Sequence, residues 1–248
     1  MKHSLITGAG SGIGRATALN LAKRGDHVWV LDHNSQAADQ TTEMITQING
    51  SAEPITCDVS DPDSIEQAFS KIDRLDNLVN NAGIAHVGDI GHTSLEDFEH
   101  VYQVNVKGAF LCLRKAIPKM LPNGGSIVNL ASIASKVGIE DRFAYSMSKG
   151  AIFTMSLSIA RDYVKKGIRC NCVCPGRVHT PFIDGYLKDN YPEDQRAEVF
   201  EKLSSYQPIG RMGRPEEIAS LIGFLTSDDA TFITASAYDI DGGVSNLQ

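Results

Sequence analysis

Thr7-Gly8-Ala9-Gly10-Ser11-Gly12-Ile13-Gly14 is the stretch that decides the fold. It follows an apolar run at residues 3–7 that is typical of a buried strand, and a helical pattern of apolar residues comes after it. A strand, a glycine-rich turn and a helix in this order predict a parallel α/β unit. Gly8 and Gly12 can let a phosphate group approach the backbone, and Gly14 can let the helix pack close to the sheet. A glycine-rich turn that binds nothing is the alternative.

Strand and helix patterns then alternate along the chain. Further strands are predicted at residues 27–31, 54–57, 76–80, 126–130, 168–174 and 235–240. Helical patterns lie between them, at residues 36–48, from 61, at 94–120, from 143 and from 215. The alternation predicts an α/β fold, a single Rossmann-type doubly wound parallel sheet of about seven strands with helices on both faces. We expect one domain over residues 1–248.

Residues 181–213 differ in composition from the rest of the chain. Aromatic residues, glycine, proline and charges are mixed there without a clear period. A segment of this kind after the sixth strand predicts a mobile lid over a substrate, partly helical near residues 193–203.

Composition and charge exclude several classes of protein. The 248 residues are 42% hydrophobic and 21% charged, with a net charge of −7 and a pI near 5.5. This acidic balance argues against a nucleic-acid partner, and no basic run suggests a membrane surface. The first strand pattern begins at His3, so we expect no signal peptide, and no apolar run approaches a membrane span. Five cysteines, an odd number, favour a reducing cytoplasm over a disulfide framework.

Three of the cysteines alternate along the sixth predicted strand. Cys170, Cys172 and Cys174 therefore share one face of that strand. A metal site is conceivable, but no further ligand pair lies nearby at zinc spacing. We expect three small buried hydrophobic side chains and no metal.

Asp32 ends the second predicted strand, twenty residues after Gly12. A carboxylate at this place can accept hydrogen bonds from the ribose hydroxyls of a dinucleotide, and it would repel a 2′-phosphate. Asp32 therefore predicts NAD rather than NADP. The competing role for Asp32 is an N-cap of the next helix, although Ser35 can fill that role.

Other polar or small residues also follow predicted strands. Asp58 and Val59 follow the third strand, where they would flank an adenine ring. The fourth strand opens into Asn81-Ala82-Gly83, a turn of small residues that can pass close to a cofactor, and Asn80 or Asn81 could brace the strand ends. Ser132 follows the fifth strand, where its hydroxyl can hydrogen-bond a substrate oxygen.

The spacing in Tyr145-Ser146-Met147-Ser148-Lys149 indicates proton chemistry. On a helix, Tyr145 and Lys149 are neighbours on one face. A phenol is a poor base at neutral pH, but an ammonium group beside it favours the phenolate and lowers its pKa. The pair could move a proton while a cofactor moves a hydride. The alternative is an ordinary amphipathic helix that carries these two common residues by chance.

Asn105 lies in the middle of the long helical stretch at residues 94–120. An asparagine is unfavourable inside a helix unless its side chain has a partner. It could hold a backbone carbonyl or a water, and that water could belong to a proton relay through Lys149.

Taken together, the motifs resemble the classical subfamily of the short-chain dehydrogenase/reductase family, from Lys2 to Gly243. The resemblance is carried, in order and spacing, by Thr7-Gly8, Gly12, Gly14, Asp58, Asn80-Asn81-Ala82-Gly83, Asn105, Ser132, Tyr145, Lys149 and Pro175-Gly176. At the positions of Ser11 and His33, relatives that prefer NADP often carry Arg or Lys. The resemblance thus agrees with NAD as the cofactor.

The resemblance implies residue roles and an assembly. Tyr145 would be the general acid/base, Lys149 would lower its pKa and bind the nicotinamide ribose, Ser132 would polarise the substrate oxygen, and Asn105 would hold a relay water. The cofactor would contact Gly8, Ser11, Gly12, Ile13, Gly14, Asp32, Asp58, Val59, Asn81, Ala82, Gly83, Tyr145, Lys149, Pro175, Gly176, Val178 and Thr180. The helices near 94–120 and 143–165 would form an interface of a homotetramer.

Basic residues near the predicted pocket bear on the substrate. Arg142, Arg177 and His179 are the main candidates, because a guanidinium is a natural partner for a carboxylate, and His86 and Tyr186 are further candidate lining residues. For Arg142, a local ion pair with Glu140 or Asp141 is an equal alternative. The sequence around these residues resembles family members that oxidise small hydroxy acids, such as cytosolic 3-hydroxybutyrate and 2-keto-3-deoxy-sugar-acid dehydrogenases.

Two other functions remain open. A 3-oxoacyl-thioester reductase would share every catalytic residue, but it would more often prefer NADPH, which Asp32 disfavours. A regulator that senses NAD without turnover is a different class. Such proteins commonly lose Tyr145 or Lys149, and this chain keeps both.

Overall fold

Parallel strands form the centre of the structure, a computed structural model that describes residues 1–247 apart from the side chains of Asp189 and Asn190. The strands are β1 (His3–Thr7), β2 (His27–Asp32), β3 (Ser51–Thr56), β4 (Asn77–Asn80), β5 (Gly125–Leu130), β6 (Ile168–Pro175) and β7 (Ala237–Ile240). Over residues 1–247 they make one seven-stranded sheet in the order β3-β2-β1-β4-β5-β6-β7, with every neighbouring pair parallel. The predicted doubly wound sheet is confirmed. Its strand order reverses between β1 and β4, where such folds bind ligands.

Helices cover both faces of the sheet. They are α1 (Gly12–Lys23), α2 (Ser35–Gln47), α3 (Pro62–Ser70), α4 (Leu95–Val101), α5 (Gly108–Met120), α6 (Phe143–Tyr163), α7 (Pro181–Asn190), α8 (Glu193–Ser205) and α9 (Pro215–Leu225). Leu21 and Ile222 belong to the core on the face with α1, α2 and α9, and Phe69 and Leu113 to the core under α3, α5 and α6. Near-continuous apolar strands are what a sheet buried on both faces requires.

Side chains at the helix starts explain several boundaries. The Asn34 side chain accepts a hydrogen bond from the Ala37 N–H at 3.1 Å and caps α2, so neither Asp32 nor Ser35 has that role. Asp61 caps α3 with Pro62 at the first turn, as the sequence pattern predicts. Asp32 remains available to the loop that follows β1.

The long helix at residues 94–120 is not a continuous α-helix. Tyr102–Lys107 form a π-helical segment between α4 and α5, and Asn105 lies in it. A π segment accommodates one additional residue per turn and is frequent at functional sites. The unfavourable mid-helix asparagine thus coincides with a break in the α-helical hydrogen bonding.

The segment at residues 181–213 is more helical than predicted. Besides α8, which covers the predicted helix near 193–203, α7 occupies residues that were predicted to be irregular. Both helices bury little of their own surface: among the described side chains, Leu187 of α7 and Ser204 of α8 are buried. The sequence of this segment shows no helical period of apolar residues. Its helices lie at the edge of the fold, where a helix needs no wide apolar stripe.

Two strands begin two or three residues away from the predicted positions. The third strand begins at Ser51 rather than Pro54. Its first residues pair with β2 but are not buried, so the apolar pattern did not include them. The last strand begins at Ala237, because Ala235 adopts the left-handed region at φ 57°.

The three alternating cysteines of β6 are buried, as predicted. Cys170 packs in the core under α3, α5 and α6, and Cys172 and Cys174 pack beside Ile152. Burial raises the pKa of Cys172 to about 12. No helix among residues 1–247 is both long and apolar enough to cross a membrane.

Candidate active site

A large cavity opens at the carboxyl ends of the strands. Its volume is about 840 Å³, and its lining comes from the loops after β1 to β6 and from residues 181–206. The predicted site residues that line it are Gly8, Ser11, Gly12, Ile13, Asp32, Asp58, Val59, Asn81, Ala82, Gly83, Ser132, Arg142, Tyr145, Lys149, Pro175, Gly176, Arg177, Val178, Thr180 and Tyr186. Gly14, His86, Asn105 and His179 do not line it.

The glycine-rich turn forms one end of the cavity. Gly8 and Gly12 have φ values of 64° and 51°, which favour glycine. Ser11 is the N-cap of α1, yet its side chain bonds none of the first-turn N–H groups. Those amides can therefore receive an anion. Gly14 has a packing role instead, since a Cβ there would lie 2.0 Å from the Gly8 carbonyl oxygen.

Asp32 is held rigidly beside this turn. Its Oδ2 accepts a hydrogen bond from the Gly10 N–H at 2.9 Å, and its Oδ1 accepts one from the Asn34 N–H at 3.0 Å. A Cβ on Gly10 would lie 2.8 Å from Oδ2, so the glycine allows the contact. The side chain of His33 is exposed, with its Nδ1 3.2 Å from Oδ1 of Asp32. A fixed carboxylate thus lines the cavity beside the glycine-rich turn.

Hydrogen bonds join the ends of β1 and β4. The Thr7 hydroxyl accepts from the N–H groups of Asn81 at 3.1 Å and Ala82 at 3.0 Å. The Asn81 amide donates to the carbonyls of Thr7 at 2.9 Å and Gly8 at 3.1 Å. The Asn80 amide donates to Oδ1 of Asn129 at 2.8 Å. Both asparagines brace the strand ends, as the sequence suggested for one or the other.

Asn105 is buried behind the cavity wall and holds the backbone of Ile84. Its Oδ1 accepts from the Ile84 N–H at 2.8 Å, and its Nδ2 donates to the Ile84 carbonyl at 2.9 Å and to the Ser148 hydroxyl at 2.9 Å. Ser148 in turn donates to the Tyr145 carbonyl at 2.7 Å. A Cβ on Gly83 would lie 3.2 Å from Oδ1 of Asn105 and 3.5 Å from Nζ of Lys149. The predicted carbonyl contact is therefore present.

Tyr145, Lys149 and Ser132 line the cavity close to one another. The Ser132 hydroxyl lies close to the Tyr145 phenol and lowers its pKa, and Nζ of Lys149 donates to the Leu130 carbonyl at 2.8 Å and lies 5.7 Å from the centroid of the Tyr145 ring. Burial lowers the pKa of Lys149 to about 8. Three polar groups are thus directed at one place between α6 and β5.

The pKa of Tyr145 is shifted in the opposite direction from the prediction. Burial raises it above its ordinary value, and the nearby Ser132 hydroxyl and the positive charge of Arg142 offset that effect only in part. Lys149, whose ammonium donates to the Leu130 carbonyl, is not among the groups that lower it. Desolvation of the phenol therefore determines the direction of the pKa shift of Tyr145, rather than the ammonium of Lys149 as predicted.

Two guanidinium groups belong to residues that line the same cavity, Arg142 and Arg177. Arg142 donates to the Asp141 carbonyl at 2.9 Å, and the guanidinium carbon of Arg177 lies 4.3 Å from the centroid of the Tyr206 ring. Among the described residues, neither arginine forms an ion pair with a carboxylate, so the local pair of Arg142 with Glu140 or Asp141 is absent there.

The two candidate histidines lie elsewhere. His86 has its Nε2 3.6 Å from Oδ2 of Asp97. His179 is exposed and has its Nε2 2.9 Å from Oδ1 of Asp184, with its ring against Phe200. His179 was a candidate because it is close to Arg177 in the chain. Its side chain does not line the cavity, whereas Arg177 and the buried Val178 do.

Several lining residues were not singled out from the sequence. They are Leu31, Asn34, Ala37, Cys57, Ser60, Ile84, Val87, His100, Val104, Ile139, Phe182, Leu203 and Tyr206. The lining residues near Asp32 and Asp58 could have been predicted, because they directly follow strands. Nothing in the sequence pairs Tyr206 with Arg177, because the contact joins residues far apart in the chain.

Comparisons with known proteins agree with this geometry. The family model described as enoyl-(acyl carrier protein) reductase matches residues 8–245. An uncharacterised oxidoreductase of Thermotoga maritima is 42% identical over 245 residues, which cover 98% of this chain and 96% of the relative. A 2-keto-3-deoxy-L-fuconate dehydrogenase of Xanthomonas campestris pv. campestris is 37% identical over 251 residues, which cover 99% of this chain and 80% of the relative.

A solved structure of a reductase also matches nearly the whole chain. A single-substitution variant of actinorhodin polyketide ketoreductase, in complex with NADPH, superposes with a TM-score of 0.93 at 30% identity, over 99% of this chain and 98% of that one. The matches extend over nearly the whole chain and include dehydrogenases and reductases. The chain therefore belongs to the short-chain dehydrogenase/reductase family, whose members are oxidoreductases that use nicotinamide cofactors.

Proposed function

We propose that this protein interconverts a secondary alcohol and a ketone with NAD, and that its substrate is a small hydroxy acid or sugar acid. The observation that carries the proposal is the cavity itself. The same cavity is lined by Tyr145, Ser132 and Lys149, by Asp32 beside the glycine-rich turn, and by Arg142 and Arg177.

The residues present fit a dinucleotide. The glycine-rich turn offers N–H groups without side-chain partners for the pyrophosphate, and Asp32 can accept hydrogen bonds from the adenosine ribose. Asp58 and Val59 would flank the adenine, and the turn at residues 81–83 together with Pro175, Gly176, Val178 and Thr180 would line the nicotinamide end. When bound, NAD supplies a ring carbon that accepts a hydride from the alcohol carbon.

The chain's own residues manage the proton. In the oxidation direction, the Tyr145 phenolate takes the hydroxyl proton of the substrate, and Ser132 donates a hydrogen bond to the same oxygen. Lys149 holds positive charge near the phenolate, which favours its formation once cofactor and substrate exclude water. Asn105 keeps the Ile84 backbone and Ser148 in place behind Lys149. In the reduction direction, Tyr145 returns the proton to the carbonyl oxygen.

Formation of NADH by the purified protein tests the proposal directly. The substrate panel contains 3-hydroxybutyrate, other small hydroxy acids, 2-keto-3-deoxy sugar acids and neutral secondary alcohols. We expect turnover of acids in preference to neutral alcohols. Equal rates with neutral alcohols would contradict the acid part of the proposal and leave the proton chemistry intact.

Replacing Arg142 with alanine is expected to raise the KM for the acid substrate roughly 10- to 100-fold, the usual size of a lost charge-assisted hydrogen bond. The KM for neutral alcohols should hardly change. Arg74→Ala is the matched control, because Arg74 pairs with Asp76 just before β4, at the amino ends of the strands and outside the cavity. An unchanged KM for the acid would show that Arg142 is structural.

A thioester substrate is the second candidate. The description of the matching family model, an acyl-carrier-protein reductase, favours it. The same panel therefore includes a 3-oxoacyl thioester with NADPH. Turnover of that substrate in preference to the acids would replace our proposal, and binding of NAD without any turnover would favour a sensing role.

We also propose a homotetramer. Apolar side chains are exposed along α4 to α6, among them Leu95, Phe110, Phe143 and Leu157, and such a face is typical of an interface. Light scattering coupled to gel filtration should give about four times the chain mass of 26.8 kDa. A mass near that of one chain would refute the assembly.

A further inference from the structure

We propose that Tyr206 is a positioning residue that holds Arg177 for the acid group of the substrate, an inference that rests on the proposed function. The two residues come from different parts of the cavity wall. Arg177 follows β6, and Tyr206 directly follows α8 at the end of the segment predicted as a lid. Their contact therefore joins the sheet to that segment.

The backbone of Arg177 is fixed from the same segment. The Gly213 N–H donates to the Arg177 carbonyl at 2.9 Å, and the His179 N–H donates to the Gly213 carbonyl at 2.9 Å. The side chain then lies over the Tyr206 ring at 4.3 Å from its centroid. Without that ring, a long flexible side chain in a cavity of about 840 Å³ would have several open directions.

Contact with an aromatic face keeps the hydrogen-bonding capacity of a guanidinium. A cation over a ring face is held by the ring's electrons and uses none of its N–H donors for that contact, so those donors stay available for a carboxylate. Within the described part of the chain, no carboxylate pairs with Arg177. The arrangement therefore presents an oriented cation to the cavity.

A second positive charge strengthens the preference for an anion. Arg142 lines the same cavity, and burial together with the charge of Arg142 lowers the pKa of Arg177. Two neighbouring cations repel each other, and an acid group between them would relieve that repulsion. A neutral alcohol offers no such gain. Tyr206 should therefore act on acid substrates selectively.

The test compares Tyr206→Leu, Tyr206→Phe and the control Phe200→Leu. Phe200 is an aromatic residue of α8 that packs on His179 outside the cavity. For each variant, kcat and KM are measured with saturating NAD for the acid of the panel that has the highest kcat/KM, and for its methyl ester. The ester has nearly the same shape and lacks the charge.

We expect Tyr206→Leu to raise the KM for the acid about 3- to 30-fold, as loss of a partly desolvated cation–π contact implies. The KM for the ester and kcat for both substrates should change less than about twofold, which a folding defect would not produce. Tyr206→Phe should match the wild type, because the ring remains.

Each other outcome overturns the inference. Equal losses in Tyr206→Phe and Tyr206→Leu would mean that the hydroxyl acts, rather than the ring. An unchanged KM in Tyr206→Leu, with a raised KM in Arg177→Ala, would refute the role of Tyr206 and leave the proposed function standing. If the wild type turns over no acid, both the inference and the proposed substrate class fail.

Discussion

Replacing Tyr145 with phenylalanine is expected to lower kcat about 10²- to 10⁴-fold, the usual contribution of a positioned acid or base. The substitution removes the phenol hydroxyl, which lies close to Ser132, and leaves the ring in place. NAD binding, followed by calorimetry, should change little. Tyr163→Phe, at the far end of the same helix, is the matched control, since Tyr163 contacts Lys166 and lies outside the cavity.

The pH profile of the same variant separates proton transfer from a general loss of structure. Oxidation needs the phenolate, and burial raises the pKa of Tyr145, so wild-type kcat/KM for oxidation should rise with pH into the alkaline range. For reduction, which needs the protonated phenol, it should fall over the same range. Retention of both the rate and the pH dependence in Tyr145→Phe would remove this residue from the mechanism.

The wild type should prefer NAD over NADP by about 100-fold in kcat/KM, equivalent to about 2.7 kcal/mol. A 2′-phosphate would lie against the carboxylate of Asp32, and like charges at close contact cost several kcal/mol. Hydrogen bonds from Gly10 and Asn34 hold both carboxylate oxygens, so Asp32 cannot turn away without leaving those amides unpaired. Steady-state kinetics with each cofactor measure the preference.

Asp32→Asn removes the charge and keeps the size of the side chain. We expect NADP use to rise at least about tenfold in this variant, because the repulsion is lost. Asp39→Asn, on the exposed side of α2, removes one negative charge at a site that does not line the cavity. Comparable turnover of the wild type with NADP would contradict the assignment of NAD.

The fold could be predicted from sequence because its signals are local. The turn at residues 7–14 requires a strand before it and a helix after it, and the short apolar runs that follow have the length of buried strands. The cavity residues near Asp32 and Tyr145 follow from the same rule, since parallel strands end at one edge of a sheet. These predictions need only the order of elements.

The remaining features depend on contacts between distant residues. Asn34 rather than Ser35 caps α2, because Asn34 has the extended backbone of an N-cap residue. The pattern of residue types in the sequence does not determine that backbone geometry. His179 and Arg177 are two positions apart, yet only Arg177 lines the cavity. The direction of the pKa shift of Tyr145 depends on how deeply the surrounding chain buries it. A helix at the edge of the fold such as α7 needs no long apolar stripe, so its sequence carried little helical signal.

The π-helical segment at Tyr102–Lys107 divides the helix between residues 95 and 120 into two registers. A π turn holds about one more residue than an α turn, so the segment equals a one-residue insertion. The faces of α4 and α5 are consequently offset by about 100° from those of an uninterrupted α-helix. A relative lacking one residue here would align with both halves in three dimensions, yet an ungapped alignment would assign half of its helix to the wrong face.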